Sequence, residues 1–145
     1  MVFRTMGALL LIEAVFMTLA LGVSLWYGEA DSDVFLFSTI VTFLAGVIGL
    51  LIGRRAESRM GEREGYLIVA MVWVVFSTFG LLPYYLSGQV PSFTDAWFES
   101  MSGFTTTGAT IIPDLEVITH GLLFWRSLTQ WIGGMGIIVL SIAIL

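Results

Sequence analysis

The chain has 145 residues, of which 57% are hydrophobic and 12% are charged, with a net charge of −5 and a mean hydropathy of +0.95. Soluble domains usually carry about 25% charged residues, so this composition indicates a protein whose solvent is lipid. Cysteine is absent and there is one histidine, which excludes disulfide scaffolds, thiolate metal sites and the common zinc sites. One short arginine cluster is too small a basic surface for nucleic-acid binding.

Four segments have the roughly 20 apolar residues that a helix needs to cross a hydrocarbon core. These predicted spans are Thr5–Tyr27, Val34–Ile52, Gly65–Leu86 and Gly121–Leu145. We interpret the first as a retained helix and not as a cleaved signal, because no convincing small-x-small cleavage site precedes the second span. The pattern predicts an all-α membrane protein with four transmembrane helices.

A shorter apolar and aromatic segment, Ser92–Ser102, lies between the third and fourth spans and is followed by a Thr/Gly tract. As a helix it would extend about 16 Å, which is half of a bilayer. This length predicts a re-entrant half-helix, with Thr105–Thr110 as the loop that follows it. Non-helical backbone survives at membrane depth only where protein buries it or a water-filled cavity receives it. The tract is therefore expected to line a cavity.

Charged residues predict the orientation of the spans. Basic residues precede the first span and fill the loop after the second: Arg4, Arg54, Arg55, Arg59 and Arg63. The loop after the first span instead carries acids: Glu29, Asp31 and Asp33. The positive-inside rule therefore predicts that the N-terminus is cytoplasmic and that the half-helix and the Thr/Gly tract enter from the outside.

The end of the last predicted span is informative as well. This span reaches Leu145 with no Arg or Lys after it, although membrane helices usually carry an interfacial anchor there. We expect that the natural chain continues beyond this point. A complete protein with a single pore segment remains the alternative.

The residue types of the Thr/Gly tract suit a path for cations. Gly108 allows backbone angles that turn carbonyls toward an axis, and threonine hydroxyls and carbonyls can replace the water around an ion. Ser92 and Asp95 have the spacing of a helix N-cap, which marks the start of the half-helix. The C-terminal end of this helix, with its partial negative charge, would then point at the tract and favour a cation.

At these residues a family resemblance becomes specific. The stretch from Ser92 to Thr110, SFTDAWFESMSGFTTTGAT, resembles the first pore segment of the Trk/Ktr potassium-uptake family. The stretch from Trp125 to Ile137, WRSLTQWIGGMGI, resembles the second pore-lining helix of that family. The two helices that precede the whole first helix–pore–helix unit indicate the TrkH-type branch. The resemblance thus divides the chain into two N-terminal helices with the Arg-rich loop, 1–64, and a first helix–pore–helix repeat, 65–145.

This resemblance implies uptake of potassium across the bacterial inner membrane. Members of the family carry four such repeats in one chain, arranged with pseudo-fourfold symmetry. They work as dimers on a cytosolic nucleotide-binding regulatory subunit (TrkA-type). The present chain would then supply one quarter of a selectivity filter and would need other pore repeats to conduct. K⁺ would be the transported ion, and neither an organic cofactor nor enzymatic catalysis is expected.

The resemblance also implies which residues form the filter: Thr105, Thr106, Thr107, Gly108 and Ala109. The backbone carbonyls of Thr106 and Thr107 are expected to face the ion. The alternative for the same residues is an ordinary Thr/Gly-rich extracellular turn.

Several charged residues are further candidates. Glu99 lies on the half-helix and needs a partner at that depth, and we predict that Arg126 is its counter-charge and that the pair supports the filter. The alternative for Glu99 is a hydrogen-bonded structural carboxylate. Asp114 could enrich cations at the mouth or could be a solvated loop acid. Glu13 is expected to have a structural or interfacial role, and His120 is expected to face solvent.

Glycines on the predicted spans, or directly after one, are expected to allow close packing of helices. They are Gly46, Gly49, Gly53, Gly133, Gly134 and Gly136.

Three other functions fit parts of the sequence. A homotetrameric cation channel would use the same filter loop four times. A membrane-embedded enzyme or proton-relay subunit would use Glu13, Glu99 and His120, but these residues lie on separate segments without a nucleophile beside them. A non-conducting regulatory subunit would not need the Thr/Gly tract.

Overall fold

The computed structural model describes residues 2–55 and 62–144, and its regular secondary structure over these residues is entirely helical. The elements are α1 (Val2–Tyr27), α2 (Ser32–Ile52), a 3₁₀ turn (Gly53–Arg55), α3 (Glu62–Gly80), α4 (Leu82–Leu86), α5 (Phe93–Phe104) and α6 (His120–Ile144). The predicted all-α fold is confirmed. Arg59 and Leu145 lie outside the described residues.

Three helical segments of the described chain are long and apolar enough to cross a membrane: Val2–Tyr27, Ser32–Ile52 and Leu67–Leu86. They match the first three predicted spans. The last helix, α6, has 25 residues, which corresponds to about 37 Å at the rise of an α-helix. Its length fits the fourth predicted span.

The third predicted span contains a break that the hydropathy pattern does not reveal. Helix α3 ends at Gly80 and α4 begins at Leu82, so the span is not the single uninterrupted helix that we expected. The physical reason is Pro83, which has no N–H to donate to a carbonyl one turn earlier. The carbonyl of Gly80, at the end of α3, accepts a hydrogen bond from the Trp125 indole Nε1 at 3.0 Å. This hydrogen bond links the end of α3 to α6.

Helices α1 and α2 form a hairpin in which the two backbones touch. A Cβ atom built on Gly7 would lie 2.6 Å from the Gly46 carbonyl oxygen, and one built on Gly49 would lie 2.9 Å from the Gly7 Cα. Such distances leave room only for glycine. The predicted close packing at Gly46 and Gly49 is therefore present, with Gly7 as the partner that the sequence pattern did not identify.

Helix α5 is packed between α3 and α6. The Phe104 ring is fully buried, with its centroid 5.3 Å from that of Phe76 and 6.3 Å from that of Trp125. A Cβ on Gly133 would lie 2.7 Å from the Phe104 carbonyl carbon, so α6 meets the end of α5 at backbone distance. This packing holds the end of α5 in place while leaving the loop after it exposed.

A group of hydrogen bonds joins the α1–α2 loop to the start of α6, and we call it the loop clasp. Glu29 accepts hydrogen bonds from the backbone N–H groups of His120 (2.7 Å) and Gly121 (2.9 Å), and its Oε1 lies 2.8 Å from the His120 Nδ1. Glu29 thus caps the positive end of α6. The His120 ring also stacks on Tyr27, with centroids 4.0 Å apart. His120 is exposed, as expected, and its ring in addition contacts Glu29 and Tyr27.

Asp31 and Gln89 complete the loop clasp. Asp31 accepts hydrogen bonds from the hydroxyls of Ser24 and Thr119. Gln89 donates to the Thr119 hydroxyl at 3.3 Å and accepts from its backbone N–H at 3.3 Å.

These contacts set the ionisation of Glu29. Burial by itself raises the pKa of the Glu29 carboxyl, but hydrogen bonds from Gly121 and His120 and the charge of His120 outweigh it. The pKa of Glu29 therefore lies below its usual value. In the sequence, Glu29 and Asp31 served only to predict the topology. In the structure, they are hydrogen-bonded to the start of α6 and to the residue before it.

Candidate ion-conduction site

Helix α5 begins and is capped where the sequence predicts. The Ser92 hydroxyl oxygen accepts a hydrogen bond from the Asp95 backbone N–H at 3.4 Å, and Asp95 lies in the first turn. The helix has 12 residues and ends at Phe104, so it extends about 18 Å. Its N-cap and its half-bilayer length both agree with the expected half-helix.

The chain turns back on α5 directly after the helix ends. The Thr105 hydroxyl donates to the Met101 carbonyl at 2.7 Å, and the Gly108 N–H donates to the Ser102 carbonyl at 3.3 Å. The Ser102 hydroxyl then donates to the Ala109 carbonyl at 2.5 Å. Ser102 thus holds both Gly108 and Ala109, a role that its position on the half-helix did not suggest.

Two residues of this loop adopt left-handed backbone angles. Thr106 has φ +58° and Gly108 has φ +74°, and Thr106 is the only non-glycine with a positive φ among the described residues. Such a conformation costs a non-glycine residue about 1–2 kcal/mol and persists only where the surroundings impose it. The sign of φ therefore changes at each step from Thr106 through Thr107 to Gly108.

The carbonyls of the loop divide into two groups. The Gly108 carbonyl accepts from the Arg126 Nη2 at 3.2 Å, and the Ala109 carbonyl accepts from Ser102. Within the described part of the chain, no side-chain or backbone donor reaches the carbonyls of Thr106 and Thr107. Residues 106–110 are also exposed. The two carbonyls that the resemblance assigns to the ion are thus available to a ligand.

Glu99 connects α5, the loop and α6. Its side chain is fully buried, and Oε1 accepts from the Arg126 Nε at 2.7 Å. The other hydrogen bonds to its carboxylate come from the Thr110 hydroxyl, at 3.0 and 3.1 Å, and from the Ile111 N–H, at 3.1 Å. The predicted contact between Glu99 and Arg126 is present. Thr110, at the end of the Thr/Gly tract, is a partner that the sequence analysis did not identify.

The Glu99–Arg126 pair is hydrogen-bonded to the loop that follows α5. Arg126 bonds to Glu99 through Nε and to the Gly108 carbonyl through Nη2, and Glu99 holds the two residues after Ala109. A buried carboxylate is tolerated when it is paired and its remaining lone pairs are hydrogen-bonded. Both conditions are met, so the pair holds the second half of the loop, from Gly108 to Ile111.

The other candidate residues lie apart from this site. Asp114 is exposed, and its Oδ1 accepts from the Glu116 N–H at 2.9 Å within its own loop. Glu13 is fully buried in α1, and its expected structural or interfacial role stays a prediction. Within residues 2–55 and 62–144, no three His, Asp or Glu side chains come together as they would around a metal ion. The available oxygen ligands of the site are therefore backbone carbonyls and threonine hydroxyls.

The fold and the site define an all-α membrane protein in which a half-length helix ends at an exposed Thr/Gly loop. The family model for TrkH, described as a cation transport protein, matches residues 32–145. The chain belongs to this family of cation transport proteins.

Named relatives and a solved structure agree with this membership. The Trk system potassium uptake protein TrkH is 39% identical in Halomonas elongata over 100% of this chain and 30% of the relative. In Escherichia coli K12 it is 40% identical over 98% of this chain and 30% of the relative. The crystal structure of the potassium transporter TrkH from Vibrio parahaemolyticus superposes with a TM-score of 0.93 at 39% identity, covering 99% of this chain and 31% of that one. The chain thus spans about 30% of the length of these relatives.

Proposed function

We propose that this chain is the N-terminal part of a potassium uptake protein and supplies one of four strands of its selectivity filter. Residues 65–145 form the first helix–pore–helix repeat, in which α5 is the pore helix, and residues 1–64 supply the two helices that precede it. The names of the relatives and their greater length support this proposal. Three further repeats would complete the pore.

The observation that carries the proposal is the exposed loop with two unoccupied carbonyls at the C-terminal end of α5. Successive carbonyls of an extended strand point to opposite sides, so a φ that changes sign between Thr106 and Gly108 can turn neighbouring carbonyls toward one axis. Four such loops would replace the water of a K⁺ ion with a ring of carbonyl oxygens, chiefly those of Thr106 and Thr107. The negative end of α5 adds a favourable field for the cation.

The Glu99–Arg126 pair would act as the support of this filter strand. Because the two charges neutralise each other, the carbonyl dipoles decide how strongly the ion is held. Conduction requires binding that is favourable enough for entry and weak enough for release. The residues that hold the loop, Glu99, Arg126 and Ser102, would therefore set selectivity without contacting the ion.

The topology follows from the arginines. With Arg4 and Arg54 on the cytoplasmic side of a bacterial inner membrane, the loop clasp and the filter loop face outward. Partners would be the other pore repeats, a second copy of the full-length protein and a cytosolic nucleotide-binding subunit.

The filter assignment is tested by Gly108→Ser in the full-length protein. No atom lies within 4 Å of a Cβ at Gly108, so serine would disturb the backbone angle and not the packing. A left-handed serine costs about 1–2 kcal/mol, and we expect selectivity for Rb⁺ over Na⁺ to fall by about tenfold in proteoliposome uptake. Gly88→Ser is a matched control, because Gly88 has φ +73° and equally open surroundings in a different loop.

Unchanged selectivity in Gly108→Ser would contradict the filter assignment and favour a non-conducting subunit. If the protein is purified as the 145-residue chain and still conducts, crosslinking to a tetramer would favour the single-repeat channel.

A further inference from the structure

Glu13 is a buried acid that the proposed filter does not use. It lies near the middle of α1, its side chain is fully buried, and neither carboxylate oxygen has a hydrogen-bond partner. An ionised carboxylate in such a place would cost far more free energy than a neutral acid. The buried carboxylate of Glu13 therefore needs a bound cation to neutralise it, and the smallest such cation is a proton.

A second unpartnered polar group faces the same point of the structure. A Cβ built on Gly80 would lie 3.2 Å from the Glu13 Oε1 and 2.7 Å from the Ser100 hydroxyl oxygen. Ser100 is on α5, is fully buried, and its hydroxyl also has no hydrogen-bond partner. Because Gly80 has no side chain, the carboxyl of α1 and the hydroxyl of the pore helix face each other across it. Ser100 is next in sequence to Glu99, which holds the filter loop.

The charged groups on the neighbouring elements do not compensate Glu13. On α2 to α6 and the 3₁₀ turn, the ionisable residues with described side chains are Asp33, Arg54, Tyr84, Tyr85, Asp95, Glu99, His120 and Arg126. None of them bonds to Glu13, and the two that lie nearest to the filter, Glu99 and Arg126, pair with each other. Arg63 belongs to the first turn of α3, whereas Gly80 ends that helix.

We propose that Glu13 is a proton-binding site behind the pore helix and a positioning residue for it. In the neutral form, a rotation of the two side chains lets the carboxylic acid donate its O–H to the Ser100 hydroxyl oxygen, a bond that the present arrangement does not contain, and thereby holds α5 against α1. Loss of the proton leaves a buried carboxylate that one donor, the Ser100 hydroxyl, does not compensate, and the cost of this charge loosens the support of the filter strand. This inference rests on the proposed role of α5 as a pore helix.

Infrared spectroscopy of the full-length protein in lipid tests the proton directly and does not depend on transport. We expect a carbonyl-stretch band of a protonated carboxylic acid that disappears in Glu13→Gln and persists in Glu116→Gln, which removes an exposed acid. In Ser100→Ala the same band should shift, because the acid loses its acceptor. A spectrum in which Glu13→Gln removes no such band would overturn the proposal.

The pH profile of Rb⁺ uptake in proteoliposomes tests the consequence. Wild-type uptake should decline toward alkaline pH, whereas Glu13→Gln, which keeps a donor and cannot ionise, should retain the neutral rate and lose most of that decline. Profiles that superpose, or a folded Glu13→Gln protein that is inactive at every pH, would overturn the proposal. If Glu13→Gln does not fold, the band shift in Ser100→Ala decides. Wild-type protein that takes up no Rb⁺ would instead contradict the proposed function.

Discussion

The α1–α2 hairpin and the segment from α3 to α6, which we call the pore unit after its proposed function, are held together by different physical means. In the hairpin, glycines bring two regular helices to backbone contact, as at Gly7 and Gly46. In the pore unit, a buried ion pair and side-chain hydrogen bonds from Glu99, Ser102 and Arg126 hold a segment that is not helical. Regular helices satisfy their own backbone groups, so shape alone is enough to pack them. The loop cannot satisfy its own backbone groups and needs polar side chains.

The difference teaches where charge is useful inside a membrane protein. A buried carboxylate that is paired and hydrogen-bonded can bind several groups of an irregular segment at once. Glu99 does this for Arg126, Thr110 and Ile111. Substitutions should therefore damage the two regions in different ways.

The largest expected effect is the loss of the ion pair in the pore unit. Glu99→Gln leaves Arg126 as a partly buried charge without its partner, and breaking such a pair costs about 3–5 kcal/mol. We expect a clear fall in the thermal unfolding midpoint of the full-length protein in detergent, together with lower Rb⁺ uptake. The double variant Glu99→Gln/Arg126→Gln should recover part of the stability, because no unpaired charge remains. Equal stability of Glu99→Gln and wild type would show that the pair does not hold the loop.

A smaller effect is expected from crowding the hairpin. Gly7→Ala places a methyl group 2.5 Å from the Leu50 backbone nitrogen, and overpacking of this kind costs about 1–3 kcal/mol. The matched control is Gly22→Ala on the same helix, where no atom lies within 4 Å. There the greater helix propensity of alanine should be neutral or stabilising by up to about 1 kcal/mol. Thermal unfolding of both variants decides, and equal midpoints would refute glycine packing as the basis of the hairpin.

The smallest effect is expected at the loop clasp, which joins the two regions. Since the folded-state pKa of Glu29 lies below its ordinary value of 4.5, its ionised form stabilises the fold above that pH. This contribution is lost as the pH falls through the lowered pKa. The difference in unfolding midpoint between wild type and Glu29→Gln should therefore be present at neutral pH and should vanish in acid. A difference that does not change with pH would contradict the capping role.

Much of the fold could be predicted from the sequence, because a chain in lipid must satisfy its own backbone hydrogen bonds and therefore forms helices. Apolar length predicted the spans, and the Ser92–Asp95 spacing predicted the start of α5, which the structure confirms. The cost of a buried charge was enough to pair Glu99 with Arg126. The break at Pro83 was also visible as a residue type, although hydropathy hides it.

By itself, therefore, the sequence determined the membrane-spanning helices, the half-length helix and the exposed Thr/Gly loop, because backbone hydrogen bonding and apolar length are local requirements. Only the tertiary structure decided which distant groups meet. Glu29 reaches His120 across 91 positions, Gly7 meets Gly46, and Glu13 faces Ser100 across Gly80. These encounters depend on how the helices cross and rotate, which is set by packing of the whole chain and not by any local pattern.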